Sequence, residues 1–92
     1  MSEIKTDTSI EELLKETLSN QHEIILFNDD VNTFDHVIEC LIKYCEHSPL
    51  QAEQCSYIVH YNGKCSVKKG ALKKLKPISQ ALVDQQLRAK II

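Results

Sequence analysis

The stretch HEIILFNDDVNTFDHVIECLIKYC, residues 22–45, decides the fold. Ile24, Ile25, Leu26 and Phe27 form a β-rich run without alternation, which reads as a buried strand. It ends abruptly on Asn28, Asp29 and Asp30. A helix signal follows, with Asn32 expected as N-cap and Asp35 three residues on as its reciprocal partner. Phe34, Val37, Ile38, Leu41, Ile42 and Cys45 then recur at helical spacing as one apolar stripe. An acidic start and Lys43 near the end suit the helix dipole.

Downstream, His47-Ser48-Pro49 stops this helix and starts another. Ser48 is the expected cap, Pro49 the first helical residue, and Gln51 completes the capping box. The second helix is expected to run to about His60, with Asn62-Gly63 closing it through a left-handed residue. Residues 64–69 alternate around Cys65 and Val67 and read as a second strand, broken by Gly70. Leu72, Leu75, Ile78 and Leu82 return to helical spacing. Pro77 costs about 3 kcal/mol inside a helix, so a short turn over 71–75 and a helix from Pro77 to about Gln86 is expected. Residues 87–92 form the last strand. The order β-α-α-β-α-β implies an α+β fold, a small three-stranded antiparallel sheet with three helices packed on one face.

Upstream, residues 1–20 are polar and acidic. Ser9 to Glu12 reads as a capping box before Ile10, Leu13, Leu14 and Leu18, but one short stripe is marginal alone in water. Residues 1–20 are therefore expected to be a flexible arm that becomes helical on a partner, and residues 21–92 the folded domain. Ninety-two residues suffice for one modest core without a metal or disulfide. No apolar run reaches the roughly 18 residues of a membrane span, and the N-terminus has no signal-peptide pattern. A cytoplasmic monomer with reduced cysteines (Cys40, Cys45, Cys55, Cys65) is expected. None of these forms a C-x-x-C pair, and no cofactor or metal is expected.

The net charge is −2, without a polyanion-binding signature. Residues 1–60 carry twelve of the thirteen acidic residues and three of the eleven basic ones, so the C-terminal third is basic. Internal complementarity is the plainer explanation of that asymmetry. The lysines at 64, 68, 69, 73, 74 and 76 lack interleaved aromatics or a nucleic-acid motif and read as a solvated face. Catalysis finds little support. Cys55 and His60 imitate a nucleophile pair, but Cys55 falls within an apolar pattern. There is no G-x-G-x-x-G and no P-loop.

Two readings of Asn28, Asp29 and Asp30 remain. Asn and Asp are favoured in turns, and Asp30 is placed to order the loop. Alternatively an Asn amide, carboxylates and a neutral imidazole from His60 suit a primary ammonium, which has three donors and no acceptor. On composition alone, turn chemistry is the commoner reason for such a cluster.

The combination of N-D-D, the apolar helix, the segment from Ala52 to Val59-His60 and the following Gly63-Lys64 resembles the ClpS family, adaptors of the Clp ATP-dependent proteases. The resemblance covers about residues 22–92. It implies recognition of N-degrons, proteins whose first residue is large and hydrophobic, and their delivery to a ClpA- or ClpC-type AAA+ unfoldase. By that resemblance Asn28, Asp30 and His60 contact the free α-amino group with Asp29 beside them. Asn32, Phe34, Val37, Ser56, Val59 and Leu87 build the side-chain pocket, and residues 1–20 match the family's unfoldase-engaging extension. The chain departs from the family in three places. Asn32-Thr33-Phe34 stands where Thr-Pro-Met is frequent, Ser56 replaces a rim Met, and the loop after Gly63 is about two residues shorter. The competing expectation is a docking domain of the ribosomal L7/L12 C-terminal type, which has a similar build and needs no ammonium cage.

Overall fold

The structure, a computed structural model, describes residues 10–11 and 22–92. The arm expected over residues 1–20 lies outside the described residues, apart from Ile10 and Glu11. The elements are β1 (His22–Phe27), α1 (Phe34–Cys45), α2 (Pro49–Asn62), β2 (Lys64–Gly70), α3 (Leu72–Asp84) and β3 (Arg88–Ile91). The expected α+β order holds. β1 is central, in the order β2-β1-β3, with both pairings antiparallel.

The central place of β1 explains its unbroken apolar run. Ile24 and Leu26 enter the core shared with all three helices, whereas Ile25 is buried outside that cluster, between its register partners Ser66 and Lys90. A bulge in β2 sets this register: Ile24 pairs with Lys68 and Ile25 with Ser66, leaving Val67 without a partner. The buried His47 uses the carbonyl so released, its Nε2 donating to Val67 O at 2.6 Å. The hydrogen bond joins the α1–α2 turn to the sheet.

In α1 the buried residues are Cys40, Leu41 and Cys45, while Phe34 and Ile42 lie at the exposed margin. The expected stripe is thus rotated toward Cys40 and Tyr44. The cap also differs from the expectation. Thr33, not Asn32, caps α1, its Oγ1 accepting the His36 N–H at 3.1 Å. Asn32 is occupied elsewhere in the loop, as described below.

Ser48 caps α2 as expected, accepting from the Gln51 N–H at 3.1 Å, with Pro49 in the first turn. Helix α2 buries only Ala52, Ser56 and Val59, a narrow stripe of small residues. Gly63 closes the helix at φ 92°, and its N–H bonds Val59 O at 2.9 Å. Its own carbonyl accepts from the Asn28 N–H at 2.9 Å. A Cβ at Gly63 meets nothing within 4 Å, so only backbone conformation opposes one. Gly63→Ala should therefore cost about 1–2 kcal/mol, read as a lower urea midpoint at unchanged slope. An unchanged midpoint overturns this account of the turn.

The short turn expected over residues 71–75 is absent: α3 runs continuously through Pro77. The proline ring removes the N–H that would bond the Lys73 carbonyl, one turn back. Lys73 and Pro77 are both exposed, so the missing bond falls on the solvent side of the helix, where an unpaired carbonyl costs least. Leu75 and Leu82, both fully buried, hold the helix to the core on its other side. Lys68 also departs from the solvated face expected of the lysines. Its Nζ donates to Cys45 O at 3.3 Å and lies 3.9 Å from Glu46 Oε2, closing the C-terminal end of α1.

Candidate functional site

The exit of β1, the loop after it, α1 and α2 enclose a cavity of about 260 Å³. That is somewhat below the roughly 300–1,000 Å³ of pockets for drug-sized ligands, and suits a single side chain. All ten residues singled out from the sequence line it: Asn28, Asp29, Asp30, Asn32, Phe34, Val37, Ser56, Val59, His60 and Leu87. Leu26, Phe27 and Thr33 line it too and were not anticipated. The first two immediately precede Asn28 at the strand's end, which was the available signal. Thr33 was hidden by the misplaced cap.

The loop is organised around Asp29. One carboxylate oxygen accepts the N–H groups of Val31 at 2.9 Å and Asn32 at 2.8 Å, and the other accepts Asn32 Nδ2 at 2.8 Å. Partial burial pushes the Asp29 pKa up, but the Asn32 backbone and side-chain bonds, the Val31 bond and the Arg88 charge together outweigh it. The carboxyl is held below its usual value. Turn chemistry is therefore present, carried by Asp29 and not by Asp30.

Asn32 Nδ2 also donates to Gln86 O at 2.9 Å, and His36 Nε2 donates to Gln85 O at 2.9 Å. These two bonds fasten the α3–β3 turn to the loop and to α1. Gln86 takes a left-handed φ of 70° there, and buried Leu87 follows directly into the cavity wall.

The floor is apolar, built from buried Leu26, Val59 and Leu87 with half-buried Val37. Ser56 is 3% exposed, and its hydroxyl donates to Ala52 O at 2.8 Å. A hydroxyl engaged this way leaves the wall effectively apolar. The exposed lining residues are Asp30, Thr33, Phe34 and His60, which ring the mouth. Among the described residues, the side-chain hydrogen bonds of the loop involve Asp29, Asn32 and the capping Thr33, and none uses Asn28, Asp30 or His60. The arrangement is an apolar hole edged by acceptors that the fold itself does not consume.

Other chemistry is poorly served. Among the described residues no three His, Cys, Asp or Glu side chains converge to hold a metal. All four cysteines are free thiols. Burial pushes Cys45 up to about 11, and burial with the Cys55 thiol alongside pushes Cys65 to about 11. At neutral pH such thiols stay protonated and are weak nucleophiles. No helix among the described residues is long and apolar enough to cross a membrane.

Comparison with known proteins agrees with the fold and the motif. Residues 17–90 match the family model described as ATP-dependent Clp protease adaptor protein ClpS. The ATP-dependent Clp protease adapter protein ClpS of Campylobacter jejuni subsp. doylei is 34% identical over 94 residues, 96% of each chain. The protein of that name from Nostoc is 43% identical over 47 residues, spanning 50% of this chain and 48% of the relative. The structure of Agrobacterium tumefaciens ClpS2 bound to L-phenylalaninamide superposes with a TM-score of 0.74 at 15% identity, covering 80% of this chain and 96% of that one. At that identity the likeness speaks for the fold.

Proposed function

The chain belongs to the ClpS family of ATP-dependent Clp protease adaptors, and from that premise we propose that it is an N-degron adaptor. It captures proteins by a free α-amino group and a bulky hydrophobic first residue, and delivers them to a ClpA- or ClpC-type AAA+ unfoldase. The observation that carries this reading is the apolar cavity whose mouth holds Asn28, Asp30 and His60 with unused acceptors. An N-terminal ammonium needs acceptors on three sides, and the side chain next to it needs a dry hole. Internal residues of a protein have no such charge, so the cage distinguishes a chain end from a loop. Asn28, Asp30 and His60 hold the amino group, with Asp29 fixing the loop beneath them. Asn32, Phe34, Val37, Ser56, Val59 and Leu87 surround the side chain. The protein acts in the cytoplasm as a monomer, without a cofactor. The ligand in the Agrobacterium relative, an amino-acid amide with an aromatic side chain, is of the class this reading requires.

Short peptides differing only at the first residue test it by fluorescence anisotropy. Leu, Phe, Tyr and Trp should bind; affinity independent of the first residue overturns the reading. Ser56 bears on the finer preference. The small side chain leaves room near the Cβ of a guest, so Ile and Val should fall no more than about tenfold below Leu, a gap of about 1.4 kcal/mol. Ser56→Met narrows that space and should widen the gap. A Leu-to-Ile ratio unmoved by Ser56→Met removes Ser56 from the determinants of specificity.

Residues 1–20 serve as the arm that engages the unfoldase. Their deletion should leave peptide affinity and the melting transition unchanged while slowing degradation of a Leu-initiated substrate by the reconstituted protease. A deletion that unfolds the domain refutes that division of labour.

A further inference from the structure

We propose that Tyr57 and Tyr61 form a second subsite that reads the residue after the first and favours an aromatic side chain there. This rests on the capture of chain ends proposed above. The two tyrosines stand one turn apart on α2, so they share a face, with rings 6.2 Å apart and nearly parallel at 12°. Neither lines the cavity, yet both are joined to its mouth. Phe34 sets its ring 5.2 Å from Tyr57 and 5.0 Å from His60. Tyr61 meets His60 nearly edge-on, at 4.8 Å and 84°. The four rings make one continuous aromatic surface from the mouth outward along α2.

Little in the fold accounts for this surface. Tyr57 is 47% and Tyr61 78% exposed, and the Tyr57–Tyr61 pair lies within one helix and joins no elements. Helix α2 buries only Ala52, Ser56 and Val59, so its outward rings add almost nothing to the core. A captured chain must leave the cavity between Asp30, Thr33, Phe34 and His60, the exposed residues at its mouth. Two of those four already touch the tyrosines. Successive Cα atoms are about 3.8 Å apart, so with the amino group at His60 the second residue lies within reach of a ring 4.8 Å from that imidazole. An aromatic second residue gains offset or edge-to-face contacts that Ala does not.

The test compares peptides beginning Leu-Phe and Leu-Ala, identical beyond, by fluorescence anisotropy on the full chain. Leu-Phe should bind about three- to tenfold more tightly, the size of one aromatic pair. In the double variant Tyr57→Ala with Tyr61→Ala that gap should close while Leu-Ala affinity is retained. The double variant Tyr57→Phe with Tyr61→Phe, which keeps the rings, should preserve it. Equal binding of the two peptides to the unaltered chain, or a gap that survives loss of both rings, overturns the subsite and leaves the capture reading standing. Failure of both peptides to bind overturns the capture reading, and the subsite with it.

Discussion

A peptide beginning with Leu or Phe should lose about 30- to 1000-fold in affinity when its amino group is acetylated, a change of about 2–4 kcal/mol. The expectation follows from what the mouth offers. Asn28, Asp30 and His60 supply acceptors, and none is spent within the loop. An ammonium satisfies them with three charge-assisted donors. An acetamide brings one N–H, no charge and a methyl group where the acceptors converge. The apolar floor contributes equally to both peptides, so the ratio isolates the cage. The peptide's own titration supplies a second check. An α-amino group loses its proton near about pH 7.7–8.0, so affinity should fall as the pH is raised above that range. Isothermal titration with matched free and acetylated peptides decides the matter, and equal affinities sink the cage.

How much of this was legible beforehand depended on the range of the interaction concerned. Strand β1, the Ser48-Pro49 helix start and the Gly63 stop rest on neighbours within a few residues, and the chain shows them openly. Asn32 was misread because its competitor lies 54 residues away: the Gln86 carbonyl and Asp29 hold the side chain, and Thr33 takes the cap. Pro77 was misread for a related reason. Whether a missing N–H breaks a helix depends on which side meets water, and that is a property of packing. Tyr57 and Tyr61 escaped notice because α2 carries apolar residues around most of its circumference, so periodicity separates no face. Asn28, Asp29, Asp30 and His60 were singled out by residue chemistry before any resemblance, and the six candidate pocket residues came only from the resemblance to a family. On composition alone the first four favoured turn chemistry, with ligand chemistry as the alternative.

Those two chemistries divide between neighbouring residues, and separating them has the second large effect expected here. Asp29→Asn should lower stability by about 1–3 kcal/mol, because its single amide oxygen accepts the Val31 and Asn32 N–H groups more weakly than a carboxylate, and its NH2 group then faces the Asn32 Nδ2 donor with nothing to accept it. Asp30→Asn should leave the urea midpoint unchanged, since Asp30 is exposed, but weaken binding of a Leu-initiated peptide about 10- to 100-fold. The acid limb of stability gives an independent signature. The folded pKa of Asp29 lies below its usual 3.8, so the native state binds fewer protons than the unfolded chain in that range. Its contribution is complete above about pH 4 and fades as the pH falls through the lowered folded value. Asp29→Asn should therefore flatten the loss of stability on acidification. Chemical denaturation at pH 7 and pH 3, with peptide titration at pH 7, measures both variants. If Asp30→Asn destabilises the domain while Asp29→Asn only weakens binding, the two aspartates hold the opposite roles. The loop would then be ordered by the residue that faces the mouth.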